Sequence, residues 1–564
     1  MAKIGEKFSV LNSQRRDPRT RMYVTPQKVL MTQGDVSNVA SLLRDKPNQI
    51  TLEGTLEDTC VLRNAPDSPH AAVLLDFGIE FSGSVRLFTW GVRSSGKDRA
   101  DVLVRTGESA MEALTTLGEK NALNDHAIRD RVLNLGRISE TETTETGFRF
   151  LYIELLDEEA EIEFQATQGV CKFLDLDYIG TFESDNAKLN QIWNTAAYTT
   201  HMNMQEYLLD GIKRDRLVWG GDLHVEMHTI MAVFGEVDIV SRSLDLLRNT
   251  TPTGNWINGI STYSLWWILE HYDWYRHYGD RNYLNEQRTY MRFLLESLLT
   301  YVDENGKEIL PEWRFLDWPN SDNPEAIHAG LQALMVMALE RGGELMEILE
   351  EHEIAVRCKS TSEKMRACKA SPNGSKTAAA FLALSGMEDA KAMNKIIAQG
   401  GAKKFSAFSS LYLLTAMAEA GNIDGAIKCL LDYYGGMLDM GATTFWEDFS
   451  VDWTKNAARI DEITPNGKED IHGDFGEYCY KNFRRSLCHG WSSGPCPWIS
   501  KYILGVEVLS PRVVRVVPNL GKLKRVQGSY PTPYGPIRVA HSLREDGTVG
   551  SQIIAPSELT VIRK

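Results

Sequence analysis

The chain has 564 residues, a formal net charge of −15 and a pI of about 5.4. That length exceeds one core and implies about two to four domains. The acidic balance excludes the basic face a nucleic-acid partner needs, and no apolar run of about 18 residues is present to span a membrane.

The segment Met1-Ala-Lys-Ile-Gly-Glu-Lys7 lacks the apolar stretch of a secretory signal. The chain as written is therefore expected in the cytoplasm, and a trimmed N-terminus would move that expectation to the periplasm or outside the cell. Eight scattered cysteines form no CxxC pair and no Cys/His cluster with zinc spacing, which predicts free thiols and no metal centre. Without a GxGxxG or a P-loop, no nucleotide cofactor is expected. Chemistry done by carboxylates is what remains.

Residues 1–183 read as a β domain. Ala71-Ala-Val-Leu-Leu-Asp-Phe-Gly78, Gly83-Ser-Val-Arg-Leu-Phe-Thr-Trp90, Val102–Arg105, Phe148–Leu155 and Ala160–Gln165 are short strands between Gly, Asp and Ser turns. That spacing predicts an antiparallel sandwich. Ile138–Thr146 is a polar strand face or a solvated loop.

From Asp185 the period becomes helical, with Leu189, Ile192, Trp193 and Ala196 on one face. Helical patterns cover 187–208, 223–248, 261–278, 282–303, 324–350, 375–386, 388–399, 403–420, 422–437 and 485–504. No 34- or 40-residue repeat marks a solenoid. Such a set closes into a double ring, so residues 184–507 are expected to form an (α/α)6 barrel with a pocket at its loop end. Residues 508–564 return to β, and are too few for an ample core of their own. They are expected to dock as a small C-terminal sandwich, giving a multidomain α and β protein.

Four loops between the helices carry the chemistry. Asp210-Gly-Ile-Lys-Arg-Asp-Arg-Leu-Val-Trp-Gly-Gly-Asp222 follows neither helical nor strand period and is read as a pocket wall. Phe315–Asp322 sets Asp317 beside Trp318, Gly441–Asp448 ends in Trp446-Glu447-Asp448, and Ser486–Gly494 carries His489 and Trp491. Taken singly, each has a plain alternative: ion-paired charges, a core Trp, a solvated Glu or a capping His. Their recurrence at one end of a helical barrel favours a shared pocket. Carboxylates beside indoles are what glycoside hydrolysis uses, one acid protonating the leaving oxygen and one carboxylate activating water or attacking. Asp215 has neighbours that would raise its pKa (Asp210, Asp222, Trp219) and neighbours that would lower it (Arg214, Arg216), so the sign stays open.

The 210–222 stretch resembles the signature of bacterial α-L-rhamnosidases of glycoside hydrolase family 78, D-C-P-x-R-[DE]-[ER]-R-x-G-W-x-G-D. Leu75-Asp-Phe-Gly-Ile-Glu-Phe-Ser-Gly83, Gly147-Phe-Arg-Phe-Leu-Tyr-Ile-Glu154, Gly441-Ala-Thr-Thr-Phe-Trp-Glu447 and Ser486-Leu-Cys-His-Gly-Trp491 resemble further motifs of that family, in its order. The resemblance implies an (α/α)6 barrel between β-sandwiches and an inverting hydrolase acting on a rhamnose-containing glycoside or oligosaccharide. It implies Asp215 as general acid and Glu447 as general base. Asp210, Arg214 and Asp222 would bind sugar hydroxyls, and Trp219, Trp318 and His489 would wall the pocket. Two positions depart. Cys-Pro is Gly211-Ile212 here, and the acid is Asp where the family has Glu, which leaves Glu226 as the alternative acid. A hydrolase for another deoxy or uronic sugar and a carbohydrate-binding homologue without turnover stay open. So does a homodimer.

Overall fold

A computed structural model of the chain describes residues 16–52, 58–94, 96–311 and 313–563. The N-terminal segment Met1–Lys7 lies outside the described residues. The structure is a mixed α and β protein, as expected.

The N-terminal region is a ten-stranded sheet whose spine is one 23-residue strand, Ala72–Ser94. It pairs antiparallel with Thr146–Leu155 and Ala160–Phe173. The two strands expected at 71–78 and 83–90 are thus one. A register shift between Asp76 and Phe81, with Gly78 at φ +84°, bends it without ending it. Such a bulge needs a residue that accepts positive φ, which explains the glycine. The pleat alternates. Val73, Leu75, Phe77, Phe81 and Val85 enter one core with Phe148, Leu151 and Ile162. Ala72 and Leu74 face a second core with Phe150, Ala110 and Ala113. The short helix Ala110–Leu114 covers that second face. Burial on both sides is why the Ala71–Phe77 run is almost wholly apolar.

Between residues 187 and 502 the described residues form twelve α-helices. The pattern expected at 223–248 is two helices, Gly220–Val233 and Asp238–Thr250. Gly235, at φ +81°, breaks them. A helix at His352–Arg366 was not expected. It buries only a few small or apolar side chains, and seven charged or histidine side chains mask its period. At the C-terminal end of the set, only Pro495–Tyr502 of the span expected at 485–504 is α-helical.

After Gly505 two small sheets form, one of Val506–Ser510, Val513–Val516 and Thr560–Ile562. The other joins Arg525–Tyr530, Ile537–Leu543 and Val549–Ile554 to Thr181–Ser184, a strand from before the helices. Val506, Val514, Val526 and Ile537 belong to the same buried cluster as the helices. The C-terminal strands thus share the helical core.

Candidate active site

The 210–222 stretch is an irregular, mostly buried loop between the helices Ala187–Asn203 and Gly220–Val233. Its ends are tied by Asp210 N–H to Leu217 O (3.0 Å) and by Leu217 N–H to Asp210 Oδ1 (3.0 Å). Gly490 N–H donates to Asp210 O at 2.7 Å, and Gly211 bridges to His489. Two loops separated by almost 280 positions are therefore stitched backbone to backbone. A Cβ on Gly211 would stand 2.3 Å from Arg214 O. This loop cannot take a side chain at position 211 without shifting. Leu217, expected in the pocket wall, instead projects outward and is 49% exposed.

The N-terminal sheet positions these loops. Arg149 binds Asp76 through two contacts, 2.8 and 2.9 Å, and also donates to Gly441 O at 3.1 Å. Glu80 N–H donates to Thr443 Oγ1 (3.0 Å), and Thr444 Oγ1 donates to Glu80 Oε2 (3.3 Å). A Cβ on Gly147 would meet Ile212 Cγ1 at 2.5 Å. The sequence motifs of the sheet are thus its contact residues for the loops carrying Asp215 and Glu447. Lys213 Nζ completes the joint, 2.7 Å from Glu108, 3.1 Å from Glu112, and bonded to the carbonyls of Phe483 and Arg485 at 2.9 and 2.8 Å.

Arg214 is the hub of the charged group. Its Nη2 donates to Glu447 Oε1, and its Nη1 lies 3.3 Å from Asp215 Oδ1. Glu447 also accepts from Ser486 N–H at 2.8 Å, while its carbonyl accepts from Trp491 Nε1 at 2.9 Å. Its carboxylate is held at two oxygens. Asp215 is the more open of the pair, and its second neighbour is His126 Nε2 at 3.4 Å, contributed by the N-terminal region. His126 is a site residue that sequence reasoning missed.

Asp222 lies 3.1 Å from His489 Nε2. Burial would lower the His489 pKa. The Asp222 hydrogen bond and the charges of Glu447 and Asp210 outweigh it and push it up to about 9. Asp222 and Asp210 are also raised, first by burial, with His489 opposing and neighbouring carboxylates adding. A net negative buried cluster holds its protons tightly at every member. For His489 a raised folded pKa means stability that is fully present below about pH 6.5 and lost as pH rises through about 9. The advantage in Tm of the wild type over His489→Gln is therefore expected to shrink between pH 6.5 and 9. A difference that stays constant across that window would remove the assignment.

Glu226 stands apart. It is buried beneath Gly490, whose added Cβ would lie 1.7 Å from its Oε1, and that oxygen has no hydrogen-bond partner. Burial, then Asp222 and Asp210, raise its pKa well above the ordinary carboxylate range.

Around the charges runs a chain of ring contacts. Trp219 meets Tyr263 (6.0 Å), Tyr263 meets Phe315 (6.1 Å), and Phe315 meets Trp318 (5.2 Å). Trp318 meets Tyr480 (6.5 Å), Tyr480 meets Trp491 (6.5 Å), and Trp491 meets His489 (4.5 Å). The three wall residues expected from sequence are linked by Tyr263, Phe315 and Tyr480, which were not. Trp318, Glu447, Tyr480 and Trp491 line one narrow cleft with about 10 Å³ of free space. A wider cavity, about 550 Å³, lies instead around His224, His228 and Asp273. Of the expected site residues, Trp318 and Glu447 line the narrow cleft, and Arg214 and Asp215 connect to it through the contact of Arg214 with Glu447.

Residues 177–369 match the family described as bacterial alpha-L-rhamnosidase 6 hairpin glycosidase domain. An alpha-L-rhamnosidase of Alteromonas sp. (strain LOR) is 24% identical over 489 residues, 74% of this chain and 49% of the relative. The chain thus spans about half the length of the curated relative it matches. The GH78 family rhamnosidase of Bacillus sp. GL1 superimposes with a TM-score of 0.76 at 19% identity, over 93% of this chain and 55% of that one. A rhamnosidase from Klebsiella oxytoca with rhamnose bound gives 0.67 at 21% identity, over 86% and 96%. The matched domain at residues 177–369, the curated relative and the shared fold agree in their likeness to bacterial α-L-rhamnosidases.

Proposed function

We propose that the chain is an inverting glycoside hydrolase that releases terminal α-L-rhamnose from glycosides or oligosaccharides. The reading includes a barrel of (α/α)6 type at 184–507 between β-sandwich domains at 1–183 and 508–564. The observation that carries it is the single guanidinium of Arg214 in contact with both Asp215 and Glu447. The shared guanidinium holds the two carboxylates as a pair, and inversion requires their carboxyl groups to stand roughly 6.5–9.5 Å apart to admit the water. Glu447 then takes the proton from that water as it attacks the anomeric carbon. Asp215 protonates the departing oxygen from the opposite face. Asp210, Arg214 and Asp222 offer charged partners for the ring hydroxyls. The ring chain through Trp219, Trp318 and His489 gives an apolar face on which the methyl group of a 6-deoxy sugar packs.

The cleft is narrow, so the sugar must displace the surrounding rings to enter. Asp215 is favoured over Glu226 as acid because it reaches the open side, whereas Glu226 is closed beneath Gly490. One observation favours the alternative of a binding homologue without turnover: Asp215, a methylene short, lies between Arg214 and His126. Hydrolysis of p-nitrophenyl α-L-rhamnoside, run against a panel of nitrophenyl glycosides with NMR detection of the released anomer, separates these readings. Release of β-L-rhamnose first supports inversion, α-L-rhamnose first contradicts it, and no turnover of any glycoside favours the binding homologue.

Asp215→Asn should lower kcat/KM by about 10²–10⁴-fold on rhamnosides with poor leaving groups. Nitrophenyl substrates should be largely spared, since nitrophenolate departs with little protonation. Equal loss on both would show that Asp215 is not the acid, and Glu226→Gln would be the next variant assayed.

A further inference from the structure

The helix Gly220–Val233 carries Asp222 in its first turn and, further along, His224 and His228. Residues four apart share one helix face, and the two imidazoles stand 4.7 Å apart, centroid to centroid. Both Nε2 atoms converge on one oxygen of Asp273, from the neighbouring helix Ser261–Tyr278, at 3.3 and 3.1 Å. The ligand atoms all lie within 4.8 Å of one another.

We propose that His224, His228 and Asp273 form a binding site for one divalent transition-metal ion of the Zn²⁺, Co²⁺, Ni²⁺ class, separate from the glycosidase cleft.

Two imidazoles and one carboxylate are the donors such ions take. The surroundings meet the further requirements of a real site, an orienting second shell and an entry path. His224 Nδ1 is bonded to Tyr412 Oη at 2.9 Å, which fixes the ring and turns Nε2 to the centre. That Nε2 is buried and, although 3.3 Å from the carboxylate, makes no hydrogen bond. The cluster opens on the cavity of about 550 Å³, large enough for the waters that complete the coordination.

A second cluster among the described residues shows what a filled centre looks like. Glu108, Glu112 and His472 also converge, but Lys213 Nζ already lies 2.7 and 3.1 Å from the two carboxylates. At the proposed site the nearest cation, Arg341, stays 3.7 Å from Asp273, beyond hydrogen-bond reach, with its guanidinium over the Tyr272 ring. Arg341 weakens the site by repulsion without filling it.

The test uses the untagged full chain after chelation, titrated with Co²⁺ and Zn²⁺. Expected are one equivalent of Co²⁺ with visible d–d absorption displaced by Zn²⁺, and a Tm raised by Zn²⁺. His228 is partly open to the cavity, so His228→Ala should fold with an unchanged Tm in EDTA and bind Zn²⁺ at least about tenfold more weakly. Arg341→Met, which removes the repelling charge, should bind more tightly than wild type. Equal Zn²⁺ affinity in wild type and His228→Ala, or no gain in Arg341→Met, would overturn the site.

Discussion

Glu447→Gln should lower kcat on α-L-rhamnosides by about 10²–10⁴-fold, the usual worth of a positioned general base. The loss should be the same for good and poor leaving groups, because the attacking water lacks its base whatever departs. The amide has the size of the acid, and its oxygen can still accept from Ser486 N–H, the partner of Glu447 Oε2 at 2.8 Å. Its NH2 group, though, would face the Arg214 guanidinium that now donates to Oε1. Two donors face to face repel, so Arg214 should swing away and KM should change along with kcat. Azide, an anionic nucleophile that needs no deprotonation, should restore part of the rate and yield the β-glycosyl azide. A loss below about tenfold, or one confined to poor leaving groups, would move the base elsewhere and leave Glu447 as the anchor of Arg214.

How far the sequence carried the site follows from what each residue does. Asp210, Arg214, Asp222 and His489 were legible because charge and glycine interrupt the helical period at loop ends. Tyr263, Phe315 and Tyr480 were not, since an aromatic at helical spacing (Tyr263) or singly in a loop (Phe315, Tyr480) reads as core, and these are indeed buried within the helical cluster. Only the chain of ring contacts distinguishes them. His126 lies in a polar stretch of the N-terminal region, and nothing local connects it with Asp215. The same holds for the His224, His228 and Asp273 cluster. The i,i+4 pair is visible in the sequence, but the carboxylate comes from the next helix but one, 45 positions on. In the sheet, Gly78 looked like a turn between two strands and proved to be a bulge within one. Helix His352–Arg366 was missed because little of it is buried, so little of its sequence needs to be apolar.

Lys213→Met should destabilise the folded chain by about 3–5 kcal/mol, the cost of removing one partner from a buried ion cluster. Lys213 sits in the loop between Asp210 and Arg214, yet its partners Glu108 and Glu112 come from the N-terminal region, the latter 101 positions away. Burial would lower its pKa, but the two carboxylates more than offset this and hold it raised, so the ammonium is charged in the folded state. Without it, Glu108 and Glu112 face each other with no cation between them, and the carbonyls of Phe483 and Arg485 lose their donor. Glu108 also accepts from Leu487 N–H at 2.8 Å, so its displacement would pull on the loop that positions His489. The joint between sheet and helices should therefore loosen before either core does, giving an early unfolding transition in urea. Because the fault is uncompensated charge and not lost volume, the triple change Lys213→Met with Glu108→Gln and Glu112→Gln should recover much of the stability. Lys213→Arg should recover little, since a planar fork cannot place one point charge among four acceptors. If Lys213→Met unfolds within about 1 kcal/mol of the wild type, the cluster does not hold the joint. The Asp76–Arg149 pair with its bond to Gly441 O, and the Glu80 bonds to Thr443 and Thr444, would then have to do so.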